Sequence, residues 1–142
     1  DCRDLWIWRN HGNTRRFSYN HELINYDKHK EWFLKKIKSN KTAIYIAEQE
    51  NKEKIGQVRF EIDGDSCCSV HVCLNPVFLG KKLGAGVIRK ATICFLKERS
   101  FIRGIKAEIL TNNIASKKAF EKAGYHFEKS ISDKIDVFNF IC

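Results

Sequence analysis

The spacing of apolar positions along the chain predicts alternating helices and strands. Leu5 and Trp8 are three residues apart, which favours a helix over 3–9. Polar residues and a glycine interrupt this spacing at 10–13, so we expect the helix to end there. Residues 17–26 are polar and aromatic without a clear period, and they are predicted to form a loop near a ligand or a simple connection.

A second amphipathic segment predicts a helix over 27–39. Its first residue, Asp27, is of a type that caps helix N-termini with a side-chain oxygen. Apolar residues recur on one side of this helix, and that side is expected to face the protein interior. The residues predicted to be buried there are Trp32, Phe33 and Ile37.

Three strands are predicted next, at 42–48, 55–62 and 68–74. The first is a short, mainly apolar run, and apolar and polar residues alternate in the other two. The polar residues at 51–54 supply the first turn, and the Asp-Gly-Asp sequence at 63–65 predicts a hairpin. Short connections of this kind join antiparallel neighbours. The middle of the chain is therefore expected to form three antiparallel strands.

Helix and strand spacing alternate in the second half of the chain. The predicted elements are a helix over about 85–99, a strand over 105–110, a helix from Asn112 or Asn113 to Gly124, and strands over about 125–130 and 134–140. The strands at 68–74 and 105–110 can lie parallel through the helical crossover between them. If these two strands splay apart, they leave a slot for a long, thin ligand.

Composition predicts one folded domain spanning residues 1–142, since this length supports a single core and 43% of the residues are hydrophobic. No apolar run is long enough to cross a bilayer and no signal-peptide pattern opens the chain, so we expect a cytoplasmic protein without a membrane partner. The six cysteines lack paired metal-ligand spacing, so they are expected to be reduced, mostly buried, and not part of a metal site.

A formal net charge of +9 predicts an acidic partner. Nucleic acid, a membrane surface and a polyanionic cofactor or substrate all fit this number. Nucleic acid is the less favoured of these, because the sequence contains no helix-turn-helix, zinc-finger or aromatic RNA-binding motif. The chain begins at Asp1 and contains no methionine, so we expect a segment to be missing at its amino end.

The junction after the strand at 68–74 favours phosphate binding. Asn75-Pro76 ends the strand, and a short loop with Gly80, Lys81, Lys82 and Gly84 leads directly into the next helix. Glycines allow a close approach of backbone N–H groups to an anion, and the N-terminus of a helix attracts negative charge. The sequence therefore predicts a phosphorylated ligand at this loop.

Two motifs resemble those of the GCN5-related N-acetyltransferase (GNAT) superfamily. One is the loop 79–84, similar to the pyrophosphate-binding R-G-x-G-x-G/A sequence, and the other is 113–125, similar to N-x-x-[AS]-x-x-x-[YF]-x-x-x-G-[FY]. The resemblance implies an α/β (α+β) fold. It consists of a mixed central sheet of six to seven strands, helices on both faces, and a splayed parallel pair that holds acetyl coenzyme A (acetyl-CoA). This chain leaves little room for the first strand, which we expect to be lacking or truncated.

The resemblance also implies the cofactor contacts. Backbone groups of the strand before the loop are expected to lie beside the acetyl group and to stabilise the oxyanion. The residues assigned to the cofactor are Val72, Cys73, Leu74, Leu79, Gly80, Lys81, Lys82, Leu83, Gly84, Ala85, Asn113, Ser116 and Phe120. Three of them depart from the family pattern: Leu79 replaces Arg or Gln, Lys82 replaces Gly, and Phe120 replaces the tyrosine that protonates the leaving thiolate. Water, Ser116 or Tyr125 could supply that proton instead.

A narrower resemblance concerns the acceptor. Segments 8–10, 29–33 and 55–64 are similar to acetyltransferases of pseudaminic and related nonulosonic acid pathways. These enzymes acetylate an amino group of a nucleotide-linked deoxysugar. The Trp-Arg-Asn sequence at 8–10 also occurs in ribosomal-protein N-terminal (RimJ/RimL-type) acetyltransferases. The acceptor is therefore expected to be a small-molecule amine, most simply a sugar nucleotide. Protein N-termini and a non-catalytic acyl-CoA-binding module are the alternatives, and a homodimer is left open.

Two residues are candidates for the general base. Glu61 could act through a water if its pKa is raised, although a solvated strand face is the favoured interpretation. His71 alternates with two valines and so faces either the cofactor slot or a packed helix, and its ordinary pKa near 6.5 suits proton transfer. In the predicted loop, polar residues are weaker candidates for contacts with the acceptor substrate. They are Tyr19, His21 and Glu22.

Overall fold

The computed structural model describes residues 1–142, which form a six-stranded mixed sheet with helices on both faces. In chain order the elements are α1 (Cys2–Asn10), α2 (Gly12–Arg16), α3 (Tyr26–Lys38), β1 (Thr42–Glu48), β2 (Lys54–Ile62), β3 (Cys67–Leu74), a 3₁₀ turn (Pro76–Phe78), α4 (Gly84–Glu98), β4 (Gly104–Leu110), α5 (Ile114–Lys122), β5 (His126–Ser130) and β6 (Ile135–Ile141). The strand order is β1-β2-β3-β4-β6-β5, and only β3 and β4 are parallel neighbours. The mixed fold predicted from the sequence is confirmed.

The parallel pair separates soon after it begins. Pairing covers only Cys67–Ser69 opposite Gly104–Lys106, whereas the strands continue to Leu74 and Leu110. We call the gap between the unpaired ends of β3 and β4 the fork. The predicted splay is thus confirmed, and the fork opens toward the carboxyl ends of both strands.

The two faces of the sheet carry cores of different size. A large cluster lies against α4 and α5, where Phe60 of β2 stacks on Phe95 of α4 with ring centroids 4.2 Å apart. Burying a side chain of this size contributes about 1.5–3 kcal/mol. On the opposite face Leu5 and Trp8 of α1 form a small cluster with Cys73 of β3. Because α1–α3 cover their face sparsely, polar groups have room there.

The first 40 residues contain more helix than the sequence predicted. α2 occupies positions where the helical pattern was expected to break, and the His11 side chain accepts a hydrogen bond from the Asn13 N–H at its start. α3 is capped by Asn25, whose Oδ1 accepts from the Asp27 N–H at 2.8 Å. The prediction of Asp27 as the N-cap is therefore wrong by two residues. Asn25 has the extended backbone conformation that is typical of an N-cap residue.

The buried side of α3 also differs from the prediction. Ile37 is 53% exposed and Trp32 and Phe33 are only half-buried, whereas His29 is buried. The His29 Nε2–H donates to the Cys2 carbonyl at 3.0 Å, so α3 turns this side toward α1. A contact between residues 27 positions apart thus overrides the local hydrophobic period.

All six cysteines are free, but burial is less common among them than predicted. Only Cys68 and Cys73 are buried, while Cys67, Cys94 and Cys142 are exposed. Their exposure follows from their positions, at the start of β3, on the outer side of α4 and at the end of the chain. None of the helices is both long and apolar enough to cross a membrane.

Gly124 ends α5 in a left-handed conformation, as the sequence predicted. Its φ is +102°, and a Cβ there would lie 3.1 Å from the Phe140 ring. We expect Gly124→Ala to lower the free energy of unfolding by about 1–2 kcal/mol, because the conformation penalises any Cβ. Gly12→Ala is the matched control: a Cβ there meets nothing within 4 Å. It should raise stability by about 0.5–1 kcal/mol through helix propensity. Urea denaturation measures both, and equal effects would contradict the backbone assignment.

Candidate active site

The backbone of β3 is divided between β2 and the fork. The Asn75 N–H donates to the Ile55 carbonyl at 2.7 Å, so the odd-numbered residues of β3 bond to β2. The N–H and C=O groups of Val72 and Leu74 consequently point into the fork, beyond the paired residues of β4. Cys73 differs from these two neighbours, since its backbone bonds to β2 and its side chain packs in the small core.

The loop before α4 forms a cradle of unpaired N–H groups. Gly80 and Lys82 have φ values of +76° and +59°, and Leu83 returns to the helical region. Alternation of left- and right-handed residues makes successive N–H groups converge into an anion-binding nest. The first helical hydrogen bond runs from the Val87 N–H to the Leu83 carbonyl, so the donors from Lys82 to Gly86 lack backbone partners. This is the geometry that the sequence predicted for phosphate.

Lys82 adopts a conformation that ordinarily favours glycine, the residue usual at this position in the resembling family. A left-handed conformation costs a non-glycine residue roughly 1–2 kcal/mol. Its side chain is exposed beside the unpaired donors. The substitution therefore keeps the turn while adding a positive charge next to the cradle.

The other loop residues support the cradle in different ways. Leu79 is exposed, and the Lys81 ammonium lies 5.5 Å from the centre of the Phe78 ring. Gly84 is buried, and a Cβ there would lie 3.5 Å from Ala119 of α5. A side chain as small as a methyl group would thus make ordinary contact at position 84, and Ala85 follows in the first turn of α4.

The start of α5 lies beside the fork. Asn113 caps the helix, because its Oδ1 accepts from the Ser116 N–H at 3.2 Å. Phe120 is buried, with its ring edge-on to Tyr125 at 5.0 Å. The Tyr125 hydroxyl shares a 2.9 Å hydrogen bond with Thr92 inside the core. Burial raises the pKa of Tyr125, and its hydroxyl is engaged by Thr92 inside the core, so Tyr125 is a poor proton donor for a thiolate in the fork.

A buried carboxylate fixes α5 on the sheet. Asp136 of β6 accepts hydrogen bonds from Ser130 at 2.6 Å and Thr111 at 3.2 Å, and it pairs with Lys117 of α5 at 2.7 Å. The hydrogen bond from Lys117 holds the pKa of Asp136 below its usual range. The helix start that borders the fork is therefore held by an ionised group at neutral pH.

A cavity of about 980 Å³ opens at the fork, on the face covered by α1–α3. Of the predicted acceptor and base residues, Tyr19, Glu61 and His71 line it. His21 and Glu22 are exposed in the same loop and do not. The predicted cofactor residues that line it are Val72, Cys73, Asn113, Ser116 and Phe120. The structure thus brings the fork, the start of α5 and both base candidates together.

Glu61 is an ionised carboxylate surrounded by cations. Its Oε1 lies 2.6 Å from Lys36 Nζ and 3.1 Å from Arg59 Nε. Burial alone raises the pKa of Glu61, but the Lys36 hydrogen bond and the charges of Arg59 and Lys36 outweigh it and hold that pKa below its usual range. The raised pKa that a base role for Glu61 required is therefore not found, because α3 brings Lys36 onto this strand face.

His71 lies on the cavity side of β3 rather than against a packed helix. Its side chain is 47% exposed, and its Nε2 lies 3.7 Å from Glu61 Oε2 and 3.4 Å from Ser69 Oγ. Burial and the nearby Arg59 charge lower the pKa of His71, although Glu61 opposes them. The imidazole is therefore neutral at neutral pH, with a carboxylate behind it to stabilise its charged form.

Three further cavity residues were not singled out from the sequence. Glu108 of β4 accepts a 2.9 Å hydrogen bond from the Tyr19 hydroxyl, which crosses the cavity mouth. Arg9 of α1 and Gln57 of β2 each have a buried polar atom without a partner. The strand alternation around Glu108 could have placed it opposite the core. No group of three or more His, Cys, Asp or Glu side chains is arranged to hold a metal ion.

Solved structures share this fold closely. Spermidine N-acetyltransferase from Vibrio cholerae, in complex with CoA and spermine, has a TM-score of 0.89 at 16% identity, covering 99% of this chain and 89% of that one. A domain from Methanocaldococcus jannaschii gives 0.82 at 22% identity, covering 100% and 92%. Aminoglycoside acetyltransferase AAC(6')-Ib, in complex with coenzyme A, gives 0.80 at 19% identity, covering 99% and 89%. No curated protein matches the sequence significantly.

The sequence itself identifies the family. Residues 1–126 match the model described as the acetyltransferase (GNAT) domain, which covers most of the 142-residue chain. The fork, the N–H cradle before α4 and the helix capped by Asn113 are the features that the sequence resemblance associates with acetyl-CoA. The chain therefore belongs to the GNAT acetyltransferase family and is an acetyl-CoA-dependent N-acetyltransferase.

Proposed function

We propose that this N-acetyltransferase acts on a primary amine of a small acceptor that also carries negative charge, most simply a nucleotide-linked deoxy-amino sugar. The charge of the cavity wall carries the proposal. The cationic lining residues are Arg9, Lys36, Lys41, Arg59 and Lys106, and the acidic ones are Glu61, Asp63 and Glu108. Five positive against three negative charges leave an excess of two, which attracts an anion.

The same excess opposes a polycationic acceptor. The Vibrio cholerae relative is described with spermine bound, a molecule that carries several positive charges. In this chain, however, Glu61 already has two cationic partners within 4 Å. A second ammonium would have to displace Lys36 or Arg59, so polyamines are disfavoured as acceptors.

The proposed reaction is direct transfer between the two substrates. The neutral amine attacks the thioester carbonyl, its proton moves to His71, and the carbon–sulfur bond breaks to release CoA thiolate. Glu61, 3.7 Å from the imidazole, stabilises the protonated histidine. The N–H groups of Val72 and Leu74 supply hydrogen bonds in the fork. Ser116 or water then protonates the thiolate, since Tyr125 is bonded to Thr92.

The acetyl donor is proposed to lie with its pyrophosphate on the cradle at 80–86 and its pantetheine in the fork. Leu79, Lys81, Lys82 and Ala85 surround the pyrophosphate in this arrangement. A cytoplasmic location and a homodimer stay predictions from the sequence.

An acceptor panel tests the substrate class. Purified protein with acetyl-CoA would be offered an amino-sugar nucleotide, a peptide with a free N-terminus, and spermidine, while released CoA thiol is measured. We expect kcat/KM to be at least about tenfold higher for the sugar nucleotide than for spermidine. Preference for the peptide would make the chain a protein N-terminal acetyltransferase. Tight acetyl-CoA binding without product from any amine would make it a binding module.

His71→Gln tests the base. We expect kcat to fall about 10²–10⁴-fold with little change in KM, because glutamine keeps the size but accepts no proton. In the wild type, activity needs neutral His71, whose pKa is lowered. The acidic limb of kcat/KM should therefore lie below the ordinary histidine range, with full activity above it. His126→Gln, an exposed histidine at the start of β5, is the control. An unchanged pH profile in H71Q would refute the assignment.

Lys82→Glu tests the cradle. Replacing a cation by an anion beside the pyrophosphate should raise the Kd for CoA about tenfold or more. Lys82→Gly keeps the left-handed turn and its N–H groups, so its Kd should stay within a few-fold of the wild type. Lys52→Glu is the matched control, because Lys52 is also an exposed lysine with positive φ, in the β1–β2 turn. Calorimetric titration giving equal Kd values for K82E and K52E would contradict the loop assignment.

A further inference from the structure

One end of the cavity contains positive charge that the protein does not neutralise. Lys36, Arg59 and Arg9 all line it, but the first two share a single carboxylate, Glu61. Arg9 has no acidic group within 4 Å, and its only hydrogen bond runs from NH2 to the Asn20 carbonyl at 3.2 Å. A cation held away from water without a counter-ion is unfavourable, so binding of an anion at this wall of the cavity would be stabilising.

Unpaired polar atoms mark where the anion binds. Arg9 NH1 is buried without a hydrogen-bond partner, and so is Oε1 of Gln57, whose residue is only 6% exposed. Gln57 lies two residues from Arg59 on the cavity face of β2. Buried polar groups are almost always paired in a folded protein. Arg59 Nε and Glu61 Oε1 are the other two such atoms in this cavity, and they face each other at 3.1 Å. The Arg9 and Gln57 atoms are therefore the ones left for a ligand to pair.

Trp32 and Glu61 hold the guanidinium of Arg59 in position to bind the same anion. Its guanidinium lies 4.8 Å from the centre of the Trp32 ring of α3, and its Nε lies 3.1 Å from Glu61. Its terminal nitrogens make no hydrogen bond to the protein and remain free to donate. The two arginines also interact electrostatically. Burial lowers the pKa of Arg59, and the positive charge of Arg9 lowers it further.

We propose that Arg9 and Arg59 bind an oxyanion of the acceptor, a phosphate or a carboxylate, while Gln57 accepts a hydrogen bond from a neighbouring hydroxyl. Guanidinium groups suit both oxyanions, because their N–H donors match the spacing of two oxygens. Gln57 and Arg59 lie opposite Cys73 and His71 in the β2–β3 pairing. The subsite is thus directly beside the proposed base, and it holds the acceptor with its amine toward the fork. This inference rests on the proposed function and identifies the residues that select the acceptor.

Binding to CoA-saturated protein tests the subsite apart from activity. Saturation with CoA fills the cradle, so any further anion binding reports the acceptor side. The probes are glucose 1-phosphate, glucuronate and neutral glucose, which share a ring and differ in the anion. At least one anionic sugar should bind at least about tenfold more tightly than glucose. Preference for glucose 1-phosphate or for glucuronate distinguishes a phosphate from a carboxylate. Equal affinity for all three would overturn the proposal.

Arg9→Gln is the critical variant. We expect it to weaken the favoured anionic sugar about tenfold or more, with the affinity for CoA and for glucose unchanged. Arg9→Lys should restore part of the loss. Arg16→Gln is the matched control, because Arg16 is an exposed arginine on the neighbouring helix that does not line the cavity. A melting temperature near that of the wild type shows that R9Q is folded, and Gln57→Leu, which should lose affinity for the same sugar, provides a second variant.

The outcomes separate the two proposals. Anion binding that depends on Arg9, without acetylation of any amine, would support the subsite and sink the proposed function. Acetylation of amines with an unchanged KM in R9Q would support the proposed function and overturn the subsite. If an anionic amine is a substrate, R9Q should raise its KM about tenfold or more with kcat within a few-fold, since the subsite positions the acceptor rather than transferring protons.

Discussion

Incomplete pairing between β3 and β4 is the constraint on which this molecule depends. Backbone groups inside a sheet normally bond to the next strand, because a buried group without a partner costs about 1–3 kcal/mol. Beyond Ser69 and Lys106 the two strands no longer offer each other partners. Pantetheine carries amides along its length and can bond to both edges. The fork is thus a gap in the sheet with open backbone groups that a linear polar ligand can pair.

The electrostatics of the acceptor side follow from one shared carboxylate. Glu61 neutralises Lys36 and Arg59 together and still lies within reach of His71. Because its charge is held firmly, Glu61 is a poor proton acceptor and a good partner for an imidazolium. His71, neutral and half-exposed, is left as the group whose protonation can change during a reaction. In the proposed reaction, proton transfer and charge compensation are therefore carried by different residues.

The sequence predicted what local patterns determine. Strand alternation, the hairpin at 63–65, the loop at 79–84 and the caps of α5 depend on neighbouring residues, and all of these predictions agree with the structure. Two failures are local, since Asn25 rather than Asp27 caps α3 and α2 forms where a break was predicted. The others involve contacts between distant segments. The face of α3 follows from the bond between His29 and Cys2, and the pKa of Glu61 follows from Lys36. Neither contact can be predicted from the spacing of apolar residues in the two segments that make it.

In the proposed arrangement, the acyl donor and the acceptor approach the sheet from opposite sides. The cradle and α5 belong to the face with the large core, whereas His71, Arg59 and Gln57 belong to the face covered by α1–α3. The fork lies between these two sets of groups. Substitutions on the α1–α3 side can consequently change which amine is chosen without altering the donor machinery. In a fold divided in this way, acceptor specificity can change through residues of one face of the sheet while the other face stays the same.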